Sequence, residues 1–147
     1  MRISKGFLGG IVAAALIAMT GSAFADHGKA GLWKITTNTQ MSGPKSAQQT
    51  LSSEHCMTAA EVKNDKIASQ NSACKMTNEK SGGGTFSADM ICSGQVIGKG
   101  SLTVTYDAPT HYTGQLSMVS NAAGATTHVT NTFEGKWVSA DCGKVTH

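Results

Sequence analysis

Residues 74–92 read CKMTNEKSGGGTFSADMIC, with cysteines at both ends and Gly82, Gly83 and Gly84 in the middle. Both cysteines lie nine positions from Gly83. Glycine accepts the positive φ that tight hairpin turns need, so the stretch is expected to fold back at the triplet. Folding about Gly83 sets Cys74 opposite Cys92 and Met76 opposite Met90, all four on one face because strand side chains alternate with period 2. The pair is therefore read as a staple across a hairpin. A catalytic or metal-holding pair would be expected at the short C-x-x-C spacing, which the chain lacks. A bridge closing about 19 residues stabilises by roughly 3 kcal/mol in the chain-entropy picture.

The alternation continues outward. SLTVTYDAPTHYTGQLSMVS places Leu102, Val104 and Tyr106 on one face and returns with Tyr112, Leu116 and Met118, turning at residues 107–110. After a turn at NAAG, residues 121–124, Val129, Phe133 and Trp137 share one parity, and His128, Thr130, Thr132, Glu134 and Lys136 the other. Upstream, GLWKITTNTQM sets Trp33, Ile35, Thr37 and Met41 against Lys34, Thr36, Asn38 and Gln40. Such patterns describe a sheet with one buried and one wet face. The polar stretch SGPKSAQQTLSSEH, residues 42–55, reads as a loop. Thr58-Ala59-Ala60-Glu61 fits a capping box, so one short helix is expected there, with Val62 and Ile67 as its thin apolar face.

The fold expected is mainly β: an antiparallel meander of six or seven strands curled into a barrel or half-barrel, with one short helix and two disulfides. The outward faces are rich in Thr, Lys and Asn, whereas a barrel in lipid needs them apolar.

The first 25 residues have the form of a secretory signal peptide. Arg2 and Lys5 precede an apolar run, Phe7 to Met19, and Ala23-Phe24-Ala25 supplies small residues for cleavage. A run of 13 residues is short for a membrane span, so removal after Ala25 is expected, leaving residues 26–147 as one domain in the periplasm or outside the cell. No cysteine follows the cleavage point, so no lipid anchor of the lipoprotein kind is expected. Arg2 and Lys5 leave with the leader, which takes the twelve basic residues to ten against nine acidic ones, and no Arg remains. This balance does not suit nucleic-acid binding, which calls for a clustered basic excess.

All four cysteines fall in the exported part, and an even count in an oxidising compartment favours two disulfides. Of three possible pairings, Cys74–Cys92 with Cys56–Cys142 is preferred. The second bridge would close about 87 residues and pin the helix region to the C-terminal tail.

GLWKITT after the leader, HCMTAAEV, the cysteine-flanked hairpin, GKGSLTVTYDAPTHYTGQLSM and the final cysteine in SADCGK together resemble domain-of-unknown-function family 3617, a group of exported bacterial proteins. The resemblance spans about residues 30–143 and rests on Gly31-Leu32-Trp33, on Cys56, Thr58 and Glu61, and on the four cysteine positions. Lys34 stands where members commonly carry an acidic residue, and Met57 where they carry Leu. The resemblance implies export and disulfides and carries no activity with it.

Catalytic signatures are missing from the sequence. His27, His55, His111, His128 and His147 are scattered, and neither G-x-S-x-G nor H-E-x-x-H occurs, so no enzyme and no cofactor are expected. His55 beside Cys56 would make a poor nucleophile, because adjacent strand residues face apart and Cys56 is expected to be oxidised. Asp26-His27 at a new N-terminus could chelate copper(II) only adventitiously, and Met41, Met57, Met76, Met90 and Met118 lack the close spacing of a copper(I) site; no metal site is expected. The candidates to line a ligand cavity are Trp33, Phe86, Met90, Tyr106, Tyr112, Phe133 and Trp137, which could equally fill a solid core. Two functions stay open: a noncatalytic periplasmic module holding a small apolar ligand or an envelope partner, and a structural or interaction protein of the envelope that uses its Thr-rich face or a sheet edge.

Overall fold

The computed structural model describes residues 28–63, 73–93, 97–122 and 124–145. The leader, Asp26-His27, Ile67 and His147 lie outside the described residues. Seven antiparallel strands form one sheet: β1 (Gly31–Ser42), β2 (Ala47–Met57), β3 (Cys74–Gly82), β4 (Thr85–Cys92), β5 (Gly98–Ala108), β6 (His111–Ala122) and β7 (Ala125–Ser139). Their order is β2-β1-β7-β6-β5-β4-β3. The first and last strands, β1 and β7, therefore pair with each other next to the β2 edge, and the meander stays open between β2 and β3. The expected half-barrel is what forms, with two edges left. No helix among the described residues is long and apolar enough to cross a membrane.

The hairpin meets the expected pairing by a different route. Gly83 and Gly84 both take positive φ, 60° and 75°, and make a two-residue turn that directly joins Gly82 to Thr85. Two positive φ values in succession match the twist of the flanking strands. A two-residue turn cannot be centred on a single residue, so the strands leave it one position out of the Gly83 symmetry. A bulge between Thr77 and Lys80 absorbs the difference, with Asn78 at φ 52° and its side-chain amide donating to Asp89 Oδ2 at 2.7 Å. Beyond the bulge Cys74 faces Cys92 and Met76 faces Met90. The structure contains both preferred disulfides, Cys74–Cys92 and Cys56–Cys142.

Residues 47–55 correct the loop expected for 42–55. They belong to β2, paired with β1 from Gly31↔Met57 to Met41↔Ala47. The reading failed because Ala47 to Glu54 are all exposed, so neither side of this edge strand needs apolar residues. Backbone pairing holds it, aided on the wet face by hydroxyl contacts Thr36–Ser52 at 3.0 Å and Thr50–Asn38 at 2.7 Å. The helix is α1 (Ala59–Lys63). Its capping box is closed in both directions: Thr58 N–H donates to Glu61 Oε2 at 2.7 Å, and Glu61 N–H donates to Thr58 Oγ1 at 3.1 Å.

One face carries the core: Trp33, Met57, Phe86, Ala88, Leu102, Val104 and Tyr112 are buried, with Val62 of α1 packed against them. Register explains how bulky rings fit there. Tyr112 faces Gly135 across β6 and β7, and Phe133 faces Gly114. A Cβ on either glycine would run into the opposing ring. The glycines leave room for the aromatics to lie over the neighbouring strand.

Candidate functional site

All seven residues named as candidates to line a cavity come together on the apolar face. Trp33, Phe86 and Tyr112 are buried, and Met90, Tyr106, Phe133 and Trp137 pack against them. The rings touch one another: Trp33 to Tyr112 at 5.1 Å between centres, Tyr106 to Tyr112 at 5.2 Å, Tyr112 to Phe133 at 6.2 Å and Trp33 to Tyr106 at 6.3 Å. These are separations of aromatic rings in mutual contact. Burial pushes the Tyr112 phenol up to about 12, so it stays neutral. The two indoles also tie down the start of the domain, because Trp33 Nε1–H donates to Lys29 O at 2.8 Å and Trp137 Nε1–H to Ala30 O at 3.1 Å. Lys29 Nζ lies 5.1 Å from the Trp137 ring centre, a cation–π contact.

The opposite face presents a different surface. A groove of about 690 Å³ crosses the middle of the sheet, lined chiefly by hydroxyl and amide side chains from four strands. Asn38 comes from β1, Thr132 from β7, Gln115 from β6 and Thr103 from β5. They line up because β1, β7, β6 and β5 are neighbours and each supplies its polar parity to this side.

An array of charged groups continues from one end of the groove. His111 Nδ1 lies 2.6 Å from Asp107 Oδ1 and Nε2 lies 2.9 Å from Glu134 Oε1, while Lys136 Nζ is 3.1 Å from the same Glu134 oxygen. Glu134 is itself part of the groove wall. The hydrogen bond to Glu134, then that to Asp107, raises the His111 pKa above its ordinary value. Asp107 and Glu134 are both lowered, each first by its bond to His111, and Glu134 next by Lys136. When protonated, His111 donates to a carboxylate on each side, which ties the β5–β6 turn to β7. The two carboxylates sit on opposite ring nitrogens and do not converge on one point. Among the described residues no group of three or more His, Cys, Asp or Glu is arranged to hold a metal ion.

In the sequence His111 is one of five scattered histidines. The available signal lies in register, since Asp107 and His111 flank a tight turn and His111 pairs with Lys136, two residues from Glu134 and on the same face. Cys56, beside His55, is in its disulfide.

Fold and surface define a class: a small disulfide-bonded β domain built on one open, curled sheet with an aromatic core face and a hydroxyl-rich wet face. The family model described as a protein of unknown function, DUF3617, matches residues 28–142, and the chain belongs to that family. No curated protein and no solved structure matches the chain.

Proposed function

We propose that this chain is a noncatalytic structural or interaction domain of the bacterial envelope, exported to the periplasm and acting by protein contact across its polar sheet face. The observation that carries the reading is the groove of about 690 Å³, whose hydroxyls and amides lie on a broad strand-built platform suited to a protein surface. The aromatic face supports it from the other side. Its rings already contact each other at 5.1 to 6.3 Å, so an apolar guest would have to part them. A noncatalytic role fits the occupation of both His111 nitrogens by carboxylates, which leaves no ring nitrogen to relay a substrate proton. Export fits the leader and the pairing of all four cysteines.

Native mass spectrometry of the protein taken from its own cells tests this. The expected result is a complex with an envelope protein, and a photo-crosslinker placed at Thr103 or Gln115 should capture that same partner. A copurifying mass of lipid size, with no protein complex, would transfer the function to the apolar face and overturn the proposal.

A further inference from the structure

The two open edges of the sheet are unlike each other. The β3 edge carries Lys75, Glu79 and Lys80 and is broken by the bulge at Asn78. Charges and bulges are the devices that keep an edge from pairing with another chain. The β2 edge has no bulge, and its one carboxylate, Glu54, lies toward its end. Residues 47–53, AQQTLSS, carry no charge and no proline, and pairing with β1 runs without a register shift along the strand. On its outer side β2 has no strand neighbour among the described residues. In the middle of this run Leu51 is 58% exposed, the most exposed large apolar residue on any described strand.

From this contrast we infer that β2 is a self-association edge: two copies of the chain pair antiparallel through β2, centred on Leu51, and join their sheets into one of fourteen strands. The register follows from charge. With Leu51 opposite Leu51 of the second copy, Thr50 faces Ser52, Gln49 faces Ser53, Gln48 faces Glu54 and Ala47 faces His55. No like charges meet, and Glu54 finds an amide. Moving the centre to Glu54 would set two carboxylates against each other, which disfavours pairing. Centred pairing also covers the exposed leucine with its own copy. Such a contact uses the same patch on both chains and closes as a dimer. Continued growth through β3 is opposed by the charges and bulge there. This surface lies apart from the groove of the polar face, so the inference stands or falls independently of the proposed envelope partner.

Sedimentation of the chain as recovered from cells, with both disulfides closed, should give twice the mass of one chain at high concentration. Leu51→Lys sets two ammonium groups side by side and should shift the protein to monomer, with unchanged circular dichroism and melting temperature because Leu51 lies outside the core. Leu51→Cys should form a disulfide-linked dimer on mild oxidation. Gln49→Cys should not, since its two copies lie roughly 14 Å apart along the strands in this register. A wild-type chain that stays monomeric at every concentration overturns the inference. So does a dimer that survives Leu51→Lys and fails to crosslink through position 51.

Discussion

Two residues show how much of this domain depends on cross-strand neighbours. Gly135 is buried because the Tyr112 ring covers it, and a Cβ there would meet the ring itself. Tyr112 is 1% exposed and contacts Trp33, Tyr106 and Phe133, so it has nowhere to retreat. Gly135→Ala should therefore lower stability by about 1–3 kcal/mol, the range for overpacking a filled site, as read from the denaturant midpoint. His111 makes a prediction about pH. Its pKa is raised from 6.5, so its contribution is complete below about 6.5 and is lost as pH rises through the folded-state value. Asp107 and Glu134 are lowered from 3.8 and 4.5, so theirs is present above those values and is lost as pH falls through the folded-state ones. The array is strongest between about pH 4.5 and 6.5. Melting temperature should decline on the alkaline side of that window in the wild type, and His111→Gln should remove this component of the decline. The effect should be small, since Asp107 is 66% exposed and Glu134 44%.

At the scale of elements, the hairpin and β2 teach opposite lessons. The β3–β4 hairpin announces itself through its glycines, its cysteines and its alternation, all local features. Its bulge is hidden by the palindromic spacing about Gly83, which suits a one-residue turn centre. Turn chemistry requires two residues, and Asn78, one of the side chains that tolerate positive φ, takes up the remainder. The strand β2 carried no such signal. Edge strands with both faces wet are specified by their partner, here β1, and by the short connection after Ser42. The capping box at Thr58 was legible because its signal is a spacing of three residues, and it forms as read.

For the whole molecule, the two disulfides should contribute unequally. Cys74–Cys92 spans 18 positions within one hairpin that backbone pairing already closes, whereas Cys56–Cys142 spans 86 and joins the end of β2 to the tail after β7. Chain entropy predicts roughly 3 kcal/mol for the first and about 4–5 kcal/mol for the second. Replacing Cys56 and Cys142 together by Ser should thus lower the unfolding free energy more than replacing Cys74 and Cys92. Paired chemical-denaturation curves with matched m-values would check the order. The pairing of β1 with β7 explains why the long loop matters. With β1 between β2 and β7, the N- and C-terminal portions of the domain lie side by side, and the second bridge ties them together covalently.

What the sequence determined by itself was everything with a local or periodic cause: alternation marked β1 and β4 to β7, glycines the hairpin turn, the capping box the helix, and the parity of cysteines the staple. The same periodicity made Trp33, Phe86, Met90, Tyr106, Tyr112, Phe133 and Trp137 candidates for the inner face, and the structure gathers them there. Tertiary structure alone decided that β1 lies between β2 and β7, that the sheet stays open, and that Asp107, His111 and Glu134 meet. Those outcomes depend on which strands become neighbours and in what register. That choice is made by contacts between residues far apart in the chain, and no spacing along a single strand encodes it.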